Sequence, residues 1–97
     1  MAYQYRIWSI NDSERWIYIR SDDSNDCEGP DSFIYLVKAI QKDVGGDVVE
    51  VGASQYMVSG EKLGLVYQWD GVFGITVVYP SNTTKERAVA FLNKYMC

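Results

Sequence analysis

The residues of this chain most able to do chemistry are the carboxylates concentrated between positions 21 and 31. This segment, SDDSNDCEGPD, contains five acidic side chains and no basic one. Closely spaced carboxylates suit Ca²⁺, but an EF-hand loop needs a glycine at its sixth position and a glutamate at its twelfth. Counted from Asp22, those positions hold Cys27 and Phe33. The pattern therefore disfavours calcium and leaves two interpretations, a solvated connector or an acidic patch presented to a basic partner.

The rest of the sequence offers little to a catalyst. The chain contains no histidine, so Ser–His–Asp and Cys–His arrangements are excluded. Two cysteines, Cys27 and Cys97, cannot by themselves supply the ligands of a zinc site. Glu50, flanked by Val49 and Val51, is the one acid inside a predicted strand, and we expect it to face solvent. We therefore expect no enzymatic activity, no metal and no cofactor.

Aromatic side chains are the second excess, with three Trp and eight Tyr in 97 residues. Residues 3 to 10 and 16 to 20 surround the polar turn NDSER and predict a β-hairpin. A loop of three or five residues would place Ile7 on one face with Ile17 and Ile19. The opposite face would then carry Arg6, Trp8, Trp16, Tyr18 and Arg20. That face is either a second buried layer or an interface for another protein.

The elements that follow alternate between helix and strand patterns. After the carboxylates of residues 22 to 28, Pro30 and Asp31 or Ser32 provide a helix start. Apolar residues then recur at spacings of three and four up to Val44. Gly45-Gly46 ends this predicted helix. The segment DVVEV predicts a short strand, and QYMVS predicts another after a break at Gly52.

The sequence LGLVYQWDGVFGITVVY predicts a second hairpin. A type I′ turn at Asp70-Gly71 would pair Trp69 with Val72 and Tyr67 with Gly74. Both faces of this hairpin would be apolar, and we expect Tyr67 and Trp69 on a face that can meet a partner. Because both faces are apolar, we expect this hairpin to be central in a sheet or to have one side covered by something outside the domain.

The last pattern is that of a helix, TKERAVAFLNKYM, with Thr83 and Glu86 as a capping box. Ala88, Leu92 and Tyr95 form its apolar stripe, with Phe91 beside it. The order of elements predicts a single α+β domain over residues 1–97. It would have a mainly antiparallel sheet, built from a hairpin and two or three further strands, with the helices packed on one face.

Charge and hydropathy narrow the possible partners. The net charge of −4 disfavours nucleic acid and anionic lipid as general partners. No segment approaches the roughly 18 apolar residues of a membrane span, and the first ten residues lack the pattern of a secretion signal. We therefore expect a cytoplasmic protein with reduced thiols and no membrane or nucleic-acid partner.

Residues 21 to 31 and the YQWDGVF hairpin together give a resemblance to bacterial immunity proteins, such as those of contact-dependent growth inhibition. The resemblance implies a protein partner, a basic toxin domain for which a nuclease is one candidate, neutralised by direct binding. It implies that acidic residues choose the partner and aromatic residues hold it. The residues concerned would be Asp22, Asp23, Asp26 and Glu28, with Trp8, Trp16, Tyr18, Tyr67 and Trp69. Two alternatives remain open, a small-ligand module with an aromatic-lined pocket and a non-catalytic subunit of a homo-oligomer.

Overall fold

The computed structural model describes residues 4–21, 30–71 and 74–96. The strands are β1 (Tyr5–Asn11), β2 (Trp16–Ser21), β3 (Val48–Gly52), β4 (Gln55–Val58), β5 (Val66–Asp70) and β6 (Gly74–Val78). The α-helices are α1 (Pro30–Val44) and α2 (Lys85–Asn93), and α2 is preceded by a single 3₁₀ turn, Asn82–Thr84.

The strands form one six-stranded sheet in the order β1-β2-β6-β5-β4-β3, with every neighbouring pair antiparallel. The two predicted hairpins therefore adjoin where β2 lies beside β6, and the second of them, β5 with β6, is central in the sheet as expected. This arrangement confirms the predicted α+β class and the antiparallel sheet. β1 and β3 are the two edge strands.

Both helices pack on the same face of the sheet. From the sheet, the core takes Ile17 and Ile19 of β2, Tyr67 of β5, and Ile75 and Val77 of β6, all fully buried. Above them lie the apolar stripes of the helices, which are Phe33, Leu36, Val37 and Ile40 of α1 and Ala88 and Leu92 of α2. No described helix covers the opposite face, which we call the open face.

The first hairpin has the predicted faces but reaches them in a different way. Asn11 pairs with Trp16, which leaves a connection of four residues rather than three or five. The register shifts between Ile7 and Ser9, so that Trp8 is the extra residue of a β-bulge. Because of this bulge, Ile7 and Ile10 both point to the core side although they are three residues apart.

The second hairpin exists, but its predicted register is wrong. Asp70 pairs with Gly74 and Tyr67 with Val77, so the connection is residues 71 to 73 and not the two residues Asp70-Gly71. Gly74, which follows this connection and pairs with Asp70, has a φ of +73°, a conformation that glycine adopts at little cost. Tyr67 and Trp69 consequently share the core side with Ile75 and Val77.

The helix ends also differ in part from the prediction. Gly45 and Gly46 follow α1 with φ of +84° and +85°, as expected for a glycine stop. At α2 the expected capping box is absent, because the first turn is 3₁₀ and Thr84 caps the helix without a side-chain hydrogen bond. The Ser81 hydroxyl instead hydrogen-bonds with those of Thr83 and Thr84. The stripe of Ala88 and Leu92 is buried as predicted.

Candidate functional site

The open face is defined by the strand residues whose side chains alternate with those of the core. Because Tyr18 pairs with Thr76, and Thr76 with Gln68, these three central residues mark one continuous row across β2, β6 and β5. The same alternation adds further members on the neighbouring strands. They are Trp16, Arg20, Val78, Val66, Gln55, Met57 and Val49, together with Trp8 at the bulge.

Three aromatic side chains on the open face contact one another beside the first hairpin. The Tyr18 ring lies 5.8 Å from the Trp8 ring, centroid to centroid, and 6.1 Å from the Trp16 ring, which it meets edge-on. The Arg20 guanidinium stacks 4.5 Å above the Trp8 ring. We call Trp8, Trp16, Tyr18 and Arg20 the aromatic cluster.

The bulge is what brings Trp8 into this cluster. In an unbroken ladder with a four-residue connection, Trp8 would stand opposite Ile19 and point into the core. Because Trp8 is itself the extra residue of the bulge, its side chain lies on the open face instead, where 48% of its surface is exposed. Bulges re-aim side chains in this way and are found at sheet edges and near functional sites. The side chain is therefore held in place by its neighbours and remains accessible.

The remainder of the open face is a broad surface of mixed apolar and amide character. Thr76 is buried at its centre, between Tyr18 and Gln68. The Gln55 side chain donates a hydrogen bond of 2.9 Å to the Gln68 side chain across β4 and β5. Val66, Met57 and Val78 are half-buried, and Val49 is 46% exposed. Val49 is therefore the most exposed apolar side chain on this part of the open face.

The structure divides the residues that the sequence suggested for partner binding. Trp8, Trp16 and Tyr18 lie together on the open face. Tyr67 is fully buried in the core, so its expected role in partner binding is wrong. Trp69 is half-buried and packs against the core on the helix side, away from the cluster. The physical reason is the register of the second hairpin, which turns both side chains towards the helices.

The four remaining candidates, Asp22, Asp23, Asp26 and Glu28, lie outside the described residues. They follow directly after β2, two to eight residues beyond Arg20 of the cluster. All nine basic residues and nine of the thirteen acidic ones lie elsewhere in the chain. These four residues, which we call the acidic segment, therefore account for the whole net charge of −4.

One ionic contact that the sequence did not reveal fixes the first hairpin to α2. The Lys85 ammonium lies 2.7 Å from the Asp12 carboxylate, to which the Tyr79 hydroxyl also donates a hydrogen bond of 3.2 Å. The Lys85 contact holds the pKa of Asp12 below its ordinary value. Tyr79 is 67 positions from Asp12 in the chain, so no local sequence pattern indicates that the two side chains meet.

Two further buried polar groups are the Glu61 carboxylate and the Tyr67 hydroxyl. The Glu61 carboxylate accepts hydrogen bonds from the backbone N–H groups of Leu63 and Leu65 and so shapes the loop before β5. The Tyr67 hydroxyl is buried without a hydrogen-bond partner among the described residues. Burial, with the nearby charge of Glu61, raises the pKa of Tyr67. Glu50 is exposed on β3, as the sequence predicted.

Within residues 4–21, 30–71 and 74–96, no three acidic, cysteine or histidine side chains come together as a metal ion would require. In the same ranges, no helix is long and apolar enough to span a bilayer. A cavity of about 340 Å³ opens between Ile10 and α2, and its lining includes no aromatic residue.

Comparison with known proteins gives no relative: no protein-family model, no curated protein and no solved structure matches this chain.

Proposed function

We propose that this protein is a non-catalytic domain that binds another protein with the open face of its sheet. The observation that carries the proposal is the aromatic cluster, in which two tryptophans, a tyrosine and an arginine are gathered on a face that no described helix covers. Trp, Tyr and Arg are the residues that most often dominate protein interfaces. The rings of Trp and Tyr offer a large rigid contact area and one polar group, N–H or O–H, at small cost in conformational entropy.

The arrangement of the cluster supports binding with little reorganisation. Tyr18 is held between Trp8 and Trp16, and Arg20 is already stacked on Trp8. The side chains therefore have few rotamers left to lose when a partner arrives, which favours affinity. The cluster also lies on paired strands over a packed core, with Trp8 placed by the bulge in β1, so its geometry is set by the fold.

We further propose that the partner is a basic toxin and that the protein is its immunity protein. The acidic segment supports this choice, since it concentrates the entire net charge of the chain into a few residues next to the cluster in sequence. Concentrated charge accelerates encounter with an oppositely charged surface, while buried aromatic contacts slow dissociation. The same polarity disfavours nucleic acid as the partner. A protein that neutralises a toxin inside its own cell would act in the cytoplasm.

The proposal is tested by recovering the partner from the native host with the tagged protein and then measuring toxicity. We expect a basic protein that is toxic when expressed alone and harmless when the wild-type chain is co-expressed. Trp8→Ala and Trp16→Ala should protect less well at equal expression. Full protection by the double variant Trp8→Ala/Trp16→Ala would reject the open face as the binding surface. Recovery of a partner without toxicity would reject the immunity role alone.

The acidic segment has its own test, in binding kinetics. Neutralising it should reduce the association rate constant about tenfold at low salt and flatten the dependence of that rate on salt. The substitutions are Asp22→Asn, Asp23→Asn, Asp26→Asn and Glu28→Gln.

A matched control removes the same number of charges from exposed positions elsewhere. Its substitutions are Glu14→Gln, Asp47→Asn, Glu50→Gln and Glu86→Gln, all at exposed residues. We expect this control to slow association by a smaller factor, because its charges are spread over the molecule. Equal slowing by the two variants would show that only net charge matters and that the acidic segment is a solvated connector.

A further inference from the structure

We propose that the β3 edge of the sheet pairs with the β3 edge of a second copy of this chain. The two β3 strands would pair antiparallel, so that the two sheets form one continuous sheet. This proposal concerns the β3 edge of the sheet and not the aromatic cluster on β1 and β2, so it holds or fails independently of the partner discussed above.

The hydrogen bonds between β3 and β4 determine which backbone groups of β3 point outward. The Ser59 N–H donates to the Asp47 carbonyl over 2.8 Å, and Val48 pairs with Val58. In an antiparallel ladder, hydrogen-bonded pairs alternate with pairs that make no such bonds. Asp47 and Val49 therefore direct their backbone groups to β4. Val48 and Glu50 direct theirs to the open edge.

These outward groups fit a second copy in one favourable register. If Val48 of one copy pairs with Glu50 of the other, the two residues exchange both backbone hydrogen bonds, and symmetry repeats the pair. Val49 then lies on the two-fold axis, opposite Val49 of the other copy. β-branched side chains in such a position pack well across strands. The register that sets Glu50 opposite Glu50 would place two carboxylates together, and it is disfavoured for that reason.

Exposed apolar side chains gather around this same edge. Val49 and Val51 are 46% and 48% exposed on β3. On α1, Ile34 is 37% exposed and lies on the flank opposite that of Ser32 and Asp43. The Tyr5 hydroxyl of β1 donates a hydrogen bond to the Ser32 carbonyl, and the Tyr95 hydroxyl, just beyond α2, donates one to the Asp43 carboxylate. The flank of Ser32 and Asp43 therefore faces β1 and the end of α2. Ile34 therefore lies on the flank of α1 that is turned away from β1.

The two edges of the sheet are protected unequally. At β1, Met96 forms a parallel bridge with Tyr5, and the bulge at Trp8 interrupts the strand. At β3, the segment Val48 to Glu50 is regular and contains neither lysine nor proline, the residues that usually block an edge. A bulge appears only beyond Glu50 and limits the pairing to a short segment. We therefore expect a weak dimer that forms through β3.

Sedimentation equilibrium of the protein alone tests the proposal, over about 10 µM to about 1 mM, where weak interfaces dissociate. Wild type should approach a dimer at the upper end. Val49→Lys should remain monomeric, because it places two ammonium groups on the two-fold axis. Val51→Lys is the matched control, since it adds the same charge outside the paired segment, near Asp47 of the other copy. It should still dimerise.

Glu50→Pro provides a second test that spares the fold. Its backbone N–H makes no ladder bond to β4, so proline removes only an outward donor, and urea unfolding should confirm that the variant is folded. We expect this variant to be monomeric. A monomeric wild type at every concentration would overturn the proposal. So would dimers that survive in Val49→Lys or Glu50→Pro, or that are lost equally in Val49→Lys and Val51→Lys.

Discussion

Removing the hydroxyl of Tyr67 should stabilise the protein. That hydroxyl is fully buried and has no hydrogen-bond partner among the described residues. A buried polar group without a partner loses its hydration and gains nothing in return, at a cost of about 1–3 kcal/mol. Tyr67→Phe deletes this one atom and leaves the ring in place. We therefore expect the free energy of unfolding to rise by about 1–2 kcal/mol.

Tyr79→Phe is the matched control for this prediction. Tyr79 is also fully buried, but its hydroxyl donates a hydrogen bond of 3.2 Å to Asp12. The same deletion should here lower the free energy of unfolding by about 0.5–1.5 kcal/mol. The two substitutions are chemically identical, so the opposite signs depend only on whether the hydroxyl is paired.

Urea titration followed by tryptophan fluorescence provides the assay, with thermal unfolding as a check. For a domain of this size, 1 kcal/mol corresponds to a shift of about 4–8 °C in Tm. The m-value should stay the same in all three proteins, because the surface exposed on unfolding does not change. Destabilisation by Tyr67→Phe would mean that the hydroxyl is paired and would refute the reasoning.

Three further predictions concern the turns and the contact at Asp12. Gly74→Ala should cost about 1 kcal/mol because φ is +73°, whereas Gly71→Ala, which meets no atom within 4 Å, should be nearly neutral in the same urea assay. Equal effects would contradict the observed register. Arg15→Gly should raise Tm slightly, since Arg15 has a φ of +59°; a lower Tm would show that its side chain outweighs the strain. Asp12 has a lowered pKa, so its contact with Lys85 stabilises the fold above the ordinary value of 3.8 and is lost as pH falls through the lower folded value. The stability difference between wild type and Lys85→Met should therefore shrink with acidification, and a difference independent of pH would contradict the assignment.

The sequence was sufficient to predict the elements and their class. Period-3.6 stripes such as Phe33 to Val44 and the terminal stripe of Ala88 and Leu92 identify helices that bury one side. Alternating apolar residues around a polar turn identify the first hairpin and its two faces. Both signals are local and depend on side chains that each element must bury. Trp8, Trp16 and Tyr18 share one face as predicted, but through a four-residue connection and a bulge and not through the loop of three or five residues from which the prediction was made.

What the sequence could not provide are features decided by single residues or by distant contacts. The bulge at Trp8 is compatible with several loop lengths, and only the packing of Ile7 and Ile10 selects it. Asp70-Gly71 has strong turn chemistry, yet the core favours the register that buries Tyr67 beside Val77. Burial in the core overrides the local turn preference at this hairpin. Tyr67 therefore lies in the core and not on the predicted binding face. The contact between Asp12 and Lys85 likewise has no local signature.

The central claim is that the aromatic cluster on the open face holds a protein partner. The most direct measurement is the dissociation rate constant of the recovered partner from Trp8→Ala and from Tyr35→Ala. The two side chains are similarly exposed, 48% and 42%, but Tyr35 lies on α1, on the helix side of the molecule. We predict that Trp8→Ala dissociates about thirtyfold faster than wild type, as expected for the loss of about 2 kcal/mol at an interface anchor, and that Tyr35→Ala dissociates at the wild-type rate. A wild-type rate for Trp8→Ala, with faster dissociation of Tyr35→Ala, would place the partner on the helices and contradict the claim.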